Sequence, residues 1–319
     1  MDYIEFTKNI NSQFFPVVLI MGEDAYLRDS ALKKLTLSLN ISLPDLNIST
    51  FDKEDVSVTD IVALANSYPS FSAKRLIVIK DFSVNKADKR GLIKLEEYLA
   101  CPNPSTCLVF FYSQAQSVIN NVNVCTVDCF KLNQQRLTEW ITKAVDNAQK
   151  SIDKNAVKTI IEYTNGDMYK ISQAVEKLVL YADTLISIED VKLLVAKDID
   201  YVIFDLTNAL ANGDNFKSME ICNSLLTEEE PTMIIASVYR SFRRMFFAHI
   251  SKAEESKLSQ ALSVKPYAIT KAKQQAKKFG AKKLKKALEI CFLAEDTLKK
   301  FNTNEKFCVK DMVLKLCNL

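Results

Sequence analysis

Val17-Val18-Leu19-Ile20-Met21-Gly22-Glu23-Asp24-Ala25-Tyr26-Leu27-Arg28 is the stretch that decides the fold. Five consecutive apolar residues with no polar alternation describe a strand covered on both faces, the situation of a parallel sheet. The run stops at Gly22, and Leu27, Ala31, Leu35 and Leu39 then recur at helical spacing. The same alternation continues downstream. A helix with Val58, Ile61, Val62 and Ala65 on one side leads to the strand Leu76-Ile77-Val78-Ile79. A helix through Leu92, Leu95 and Leu99 leads to the strand Cys107-Leu108-Val109-Phe110-Phe111, and a last β-rich run covers Val122 to Phe130. Strand, helix, strand, helix, strand predicts a mostly parallel sheet with covering helices.

A strand that ends in glycine and runs into a helix is where a nucleotide-binding domain carries its phosphate loop. That loop needs G-x-x-x-x-G-K-[ST], with glycines that let backbone N–H groups face the phosphates and a lysine counter-charge. Here there is one glycine and no Gly-Lys pair, and Glu23 and Asp24 stand where an anion would sit. A helix N-terminus attracts negative charge, but these side chains supply it themselves and repel a triphosphate. An ordinary helix cap explains the same residues. Both readings predict no ATP at this position.

Residues 133–200 read as helical. Ala156, Val157, Ile160 and Ile161 form a stripe ending at Asn165-Gly166, a glycine stop. Asp167 is then placed to cap a helix with Met168, Ile171, Ala174, Val175 and Leu178 on its buried face. Ser187-Ile188-Glu189-Asp190 resembles a capping box before Val191, Leu194 and Val195. Residues 201–319 are helical with longer elements. Pro231 opens one helix, since proline is tolerated in a first turn. Met233 through Phe247 is apolar almost all round, which predicts the centre of a bundle. Gly280 separates two later helices, the second with Leu284, Leu288, Cys291 and Leu298 as its core stripe. The expected organisation is an α/β domain over 1–135, a small helical domain over 136–200 and a helical domain over 201–319.

Composition bounds the possibilities. The chain has 319 residues, 48% hydrophobic and 25% charged, with 5 glycines and 7 prolines. That is ordinary for a folded soluble protein and excludes low-complexity tails. No run reaches the roughly 20 apolar residues of a membrane span, and the acidic start Met1-Asp2-Tyr3-Ile4-Glu5 is no secretion signal. The eight cysteines form no Cys-x-x-Cys pair, so reduced thiols in a cytoplasmic protein are the simplest account. Cys125 and Cys129, with Cys101 and Cys107, could supply four zinc ligands, but a strand carrying buried cysteines explains the same residues. No metal is expected. Charge is unevenly spread: residues 1–135 and 136–200 each sum to −2, and residues 201–319 to +7. An anionic partner should approach the last third.

The order of these features resembles the bacterial clamp-loader delta family along nearly the whole chain. The matching pieces are Leu19 to Leu27, then Pro69-Ser-Phe-Ser-Ala-Lys-Arg-Leu-Ile-Val-Ile-Lys-Asp81, Gly166-Asp167 with the helix through Glu176 to Tyr181, and Phe204 to Asp214. Pro231 to Arg243 with its Phe-Arg pair, and Gln275-Ala276 with Phe279, complete the series. The resemblance implies an α/β plus all-α fold. It consists of an AAA+-like parallel-sheet domain lacking a functional phosphate loop, a small helical lid domain and a C-terminal helical collar domain for oligomerisation. It also implies a component of the DNA polymerase III holoenzyme with no catalytic activity of its own, which binds and opens the sliding clamp (the beta subunit) without hydrolysing ATP. Partners implied are the gamma/tau ATPase subunits and delta-prime in a hetero-pentamer, and primer-template DNA through the complex. No cofactor and no membrane are implied.

Pro69 disfavours a helical residue before it, so the helix carrying Ile61 and Ala65 ends near Tyr68. Phe71 then lies in a short connection ahead of the strand at Leu76, where loops present contacts. In the delta family this position forms a hydrophobic plug for the clamp. Carried over, the plug is Phe71, with Ser70 beside it and Tyr68 and Pro69 shaping the approach. Relatives commonly have a bulky apolar residue where this chain has Ser70, so either the plug is smaller or Tyr68 supplies the missing surface. The alternative is that Phe71 folds back onto its own core.

Lys271, Lys273, Lys277, Lys278, Lys282, Lys283, Lys285 and Lys286 crowd into 16 residues. A solvated helix face, a DNA footprint and a docking surface for acidic neighbours all fit. Phe279 is the sole aromatic among them, too few for base stacking. Arg240, Arg243 and Arg244 are further candidates for subunit or DNA contact. The one histidine, His249, sits among apolar residues, and no nucleophile elbow or His-Glu-x-x-His helix appears, so no catalytic residue is assigned. Three functions compete: a clamp-opening adaptor, an active AAA+ ATPase and a basic helical nucleic-acid binder.

Overall fold

The computed structural model describes residues 1–52, 57–82, 89–113, 121–251, 253–262, 264, 266–300 and 304–319. The chain divides into two compact units. The first comprises Met1–Ser151 with Met168–Val179, the second Ile152–Asp167 with Leu180–Leu319.

The first unit is built on five strands: β1 (Val17–Met21), β2 (Ile48–Phe51), β3 (Arg75–Lys80), β4 (Thr106–Tyr112) and β5 (Val124–Asp128). They form one sheet in the order β2-β3-β4-β1-β5, with every pairing parallel. β1 lies between β4 and β5, with Leu19 opposite both Phe110 and Thr126. Its continuous apolar sequence follows from that central place, because both faces need cover. Val17 and Leu19 share a core with Ile77, Ile79, Leu108 and Phe110. Helices α4 (Val58–Asn66) and α5 (Lys89–Ala100) close it through Ile61, Val62, Ala65, Leu95 and Leu99. Helices α1 (Tyr3–Asn9) and α2 (Ala25–Ser38) also pack on the sheet unit, joined by a 2.8 Å hydrogen bond between Tyr3 Oη and Ser30 Oγ. A four-residue helix, α3 (Pro44–Asn47), precedes β2. Two elements of this unit carry no strong sequence signal. β2 is an edge strand whose Ile-Ser-Thr-Phe is only half covered, and α1 is two turns long.

Residues 136–200 do not pack as one group. α6 (Gln134–Asn147) and most of α8 (Met168–Tyr181) belong to the sheet unit, whereas α7 (Lys154–Tyr163) and α9 (Ile188–Leu194) belong to the second. The capping box is as the sequence predicts: the Ser187 side chain accepts from the Asp190 N–H and the Asp190 carboxylate accepts from the Ser187 N–H.

The second unit continues with α10 (Ile199–Ala211), α11 (Asn215–Glu228), α12 (Pro231–Ile250), α13 (Glu255–Ala261), α14 (Pro266–Lys300) and α15 (Glu305–Cys317). α14 is interrupted at Gly280, whose φ of +74° is open to glycine but strained for other residues. α12 and α14 make the most extensive helix pairing of the chain. Phe242 of α12 meets Phe279 of α14 edge to face at 5.5 Å between centroids. α12 is not apolar all round in its surroundings. Ile234, Ile235, Val238, Phe242, Met245 and Ala248 are buried, while Met233 and Phe247 face solvent. The helix is thus amphipathic, and its exposed apolar residues are what blurred the pattern. Gln275 is buried where α14 meets α10, and its Nε2 lies 3.1 Å from Thr207 Oγ1 and 2.8 Å from Asn208 Oδ1.

Phe242 is fully buried at this crossing, so Phe242→Ala leaves a cavity as well as losing contact area. Unfolding in urea should register a loss of about 3–5 kcal/mol.

Candidate functional site

In a parallel sheet the loops after the strands gather at one edge and the loops before them at the other. Gly22 follows β1 and Ser113 follows β4, so both lie at the C-terminal edge. β1 and β4 are neighbours whose onward connections run in opposite directions, which makes this the switch point where α/β sheets bind ligands. Phe71 precedes β3 and Asn47 precedes β2, which puts them at the opposite edge.

At the C-terminal edge the backbone of the strand exit is satisfied within the chain, although Arg28 Nε and the Tyr112 hydroxyl are buried without a partner among the described residues. Gly22 has φ +143°, and a Cβ there would stand 2.2 Å from the Cys129 carbonyl oxygen. Only glycine lets β1 pass the end of β5 so closely. The Cys129 N–H donates to the Met21 carbonyl at 2.7 Å, and the Asp24 N–H donates to the Cys129 carbonyl at 3.0 Å. The Asp24 carboxylate caps α2 by accepting from the Leu27 N–H at 3.1 Å. Glu23 is exposed and forms a loose 3.8 Å ion pair with Lys131. Arg28, one turn into α2, donates to the carbonyls of Gly22 and of Ser113 and lies over the Phe111 ring at 5.7 Å. One guanidinium therefore bridges the two loops that flank the switch point. Beside it Tyr26 packs edge-on against Trp140 and Tyr169, and the Tyr169 hydroxyl donates to Asp29 at 2.7 Å.

Three thiols of the sheet unit are buried or partly buried, Cys129 beside Gly22 and Cys107 and Cys125 towards the other edge. Burial pushes Cys107 and Cys129 up to about 12 and Cys125 to about 11. Cys101 is exposed, away from that burial. Among the described residues no group of three or more His, Cys, Asp or Glu side chains could hold a metal, and no helix is long and apolar enough to cross a membrane.

The opposite edge is unlike this. α4 ends at Asn66, and the connection Tyr68-Pro69-Ser70-Phe71 leads towards β3. Phe71 is 90% exposed and Tyr68 84%, while Pro69 and Ser70 are half-buried. Phe71 does not fold back onto the core. Its φ is +53°, the left-handed region, which costs an L-residue roughly 1–2 kcal/mol. The support beneath is polar and buried. Arg75 donates to Ser67 Oγ and, at 3.4 Å, to the Leu64 carbonyl, tying the C-terminus of α4 to β3. Asn47, also buried, is hydrogen-bonded to Ser70. Neither Asn47 nor Arg75 stood out in the sequence as a candidate, because their partners lie 23 and 8–11 residues away.

In the helical unit Lys277, Lys278, Lys282, Lys283, Lys285 and Lys286 are all exposed, on both sides of Gly280. Lys278 donates to Asn212 Oδ1 at 3.0 Å, and Lys273 pairs with Glu255 at 3.2 Å. On α12, Arg240 donates to Ser237 Oγ at 2.8 Å and Arg243 lies over the Phe247 ring at 5.8 Å. Arg244 is the most enclosed of the three, and burial lowers its pKa. His249 is exposed at the end of the same helix.

A parallel five-stranded α/β unit joined to a mainly helical unit defines the class of protein. Comparison with known proteins narrows it. Family models match over two stretches: "DNA polymerase III, delta subunit" over residues 19–135, and "DNA polymerase III delta subunit, C-terminal domain" over residues 200–316. The DNA polymerase III subunit delta of Bacillus subtilis (strain 168) is 24% identical over 322 residues, covering 94% of this chain and 92% of the relative. The solved Bacillus subtilis DNA clamp loader delta protein superposes with a TM-score of 0.81 at 21% identity, covering 99% of this chain and 100% of that one. The chain belongs to the DNA polymerase III delta subunit family of the clamp loader.

Gly22→Ala should be costly because it combines a positive φ with a backbone collision. A loss of more than about 2 kcal/mol in chemical denaturation is expected.

Proposed function

We propose that this chain is the clamp-opening adaptor of a DNA polymerase III complex, acting by contact and without ATP hydrolysis of its own. The observation that carries the reading is Phe71: a large aromatic, 90% exposed, in a strained conformation above a buried polar support. Exposed strain of this kind is retained where a side chain has a partner to meet. Phe71 is the plug that enters an apolar pocket of the sliding clamp. Ser70 contributes little bulk, and the exposed ring of Tyr68 supplies the missing surface, with Pro69 fixing the approach.

The sheet unit is an AAA+-like core whose phosphate loop has lost its chemistry. Several features support this. Asp24 caps α2 with its own carboxylate. Glu23 adds a second negative charge. Arg28 engages the two carbonyls where a nucleotide would be received. A cation fixed on backbone oxygens is not available to phosphates, and the two carboxylates repel them. The proposed functional division is a sheet domain with the clamp-binding tip over 1–135, a collar over 201–319 and, between them, a helical lid over 136–200 whose helices are shared between the two compact units. Its partners are the sliding clamp (beta subunit), the gamma/tau ATPase subunits and delta-prime in a hetero-pentamer in the cytoplasm. Docking of Phe71 beside a clamp subunit interface favours the sprung-open ring. ATP on neighbouring subunits sets when that docking is allowed, through differential affinity between conformations.

The exposed lysines of α14, with Arg240, Arg243 and Arg244, are assigned to primer-template DNA or to acidic neighbours in the ring. The net +7 of residues 201–319 favours an anionic partner for this unit.

Two measurements test these assignments. An aromatic anchor is worth ~2 kcal/mol or more, so Phe71→Ala should weaken binding to a bacterial sliding clamp at least about tenfold. Unchanged affinity would remove the plug from the account. If the lysines meet phosphate, binding of the assembled clamp loader to primed DNA falls as salt rises. Replacing Lys282 and Lys283 with alanine should then flatten the log–log slope by about 1–2. An unaltered slope would confine these lysines to solubility or assembly.

A further inference from the structure

Asn47 is the last residue of α3 and is fully buried, although the preceding residues Leu43 to Leu46 are all exposed. A buried amide has to satisfy its own hydrogen-bonding groups, and the groups it meets reveal what it holds. Its Nδ2 donates to the Ser70 carbonyl at 2.8 Å, with the Ser42 carbonyl at 2.8 Å and that of Leu43 at 3.3 Å. Its Oδ1 accepts from the Ser70 N–H at 2.7 Å. Both polar backbone atoms of Ser70 therefore end on one side chain that is 23 positions away in sequence. On the other side of Phe71, Ser72 Oγ accepts from the Ser42 N–H at 3.1 Å and donates to the Lys74 carbonyl at 2.9 Å. Phe71 is thus bracketed, by Asn47 through Ser70 and by the Ser42 backbone through Ser72.

A bulky residue at φ +53° leaves that region unless its neighbours are fixed. We propose that Asn47 is the positioning residue of the clamp-binding tip: by holding both backbone atoms of Ser70 it presents Phe71 outward before any partner arrives. This rests on the reading of Phe71 as the clamp contact, and adds to it the buried group that pre-organises the contact. A partner that recognises only the presented form has its affinity lowered in proportion to the fraction of molecules adopting it. Losing Asn47 therefore slows association and leaves dissociation near its original rate. Losing the Phe71 ring removes the contact itself and speeds dissociation.

The test follows association and dissociation of the full chain on an immobilised bacterial sliding clamp. Asn47→Ala should raise Kd by about 5–20-fold, mainly through the association rate. In a Phe71→Ala background the same substitution should add nothing. If Phe71→Ala alone binds as the original chain does, the clamp contact is wrongly assigned and the proposal falls with it. If Phe71→Ala weakens binding but Asn47→Ala does not, the contact stands and Asn47 has no positioning role. Asn47 is equally without that role if the Asn47→Ala loss persists undiminished when the ring is gone. Should Asn47→Ala fail to fold by circular dichroism, the unaltered chain decides. Its Ser70 amide proton should exchange at least about tenfold more slowly than an open loop allows. Exchange at the open-loop rate would overturn the proposal.

Discussion

The passage of Gly22 against the backbone of Cys129 is a tight constraint in the sheet unit, and much else follows from it. With no Cβ at 22, β1 can leave the sheet alongside the end of β5, and the Cys129 carbonyl can take the Asp24 N–H. That hydrogen bond sets where α2 begins, and the Asp24 carboxylate then closes its first turn. The start of α2 in turn fixes Arg28 within reach of the Gly22 and Ser113 carbonyls, and Tyr26 against Trp140 and Tyr169. One missing methyl group thus organises the strand exit, the helix cap and the cation beside them.

The two edges of the sheet are finished in opposite ways. At the C-terminal edge the strand exit and helix cap are matched internally, while Arg28 Nε and the Tyr112 hydroxyl are buried without a hydrogen-bond partner among the described residues. At the N-terminal edge the polar groups of Asn47 and Arg75 are matched below the surface, while aromatic area is left in water above them. Burying polar support under exposed apolar surface concentrates both rigidity and unspent hydrophobic area in one loop. The ring of Phe71 is thereby left in water on a backbone that is fixed on either side of it.

Much of this was legible in the sequence, for physical reasons that vary by element. β1, β3 and β4 announce themselves because central parallel strands must be apolar on both faces. β2 did not, since an edge strand reading Ile-Ser-Thr-Phe resembles any half-exposed stretch. The helix break at Gly280 was readable from a single residue, whereas the orientation of α12 was not, because Met233 and Phe247 are apolar yet exposed. At the candidate site, Pro69 gave away the loop that carries Phe71. The role of Asn47 was invisible: a lone asparagine before a weak strand gives no hint of a partner 23 residues on. The lysines of α14 were obvious as a cluster, but sequence could not say that Lys278 is partly engaged by Asn212.

The bridge made by Arg28 also bears on how such a chain can evolve. A lysine-bearing phosphate loop could not be introduced here by a single change. The guanidinium would have to be evicted from two carbonyls, two acidic side chains exchanged, and the strand exit rebuilt around a second glycine. Removing the Arg28 guanidinium alone leaves the Gly22 and Ser113 carbonyls without that donor, whereas Glu23 is exposed and its exchange disturbs little. Position 28 is therefore answerable to two loops at once, one 6 and the other 85 residues away in sequence.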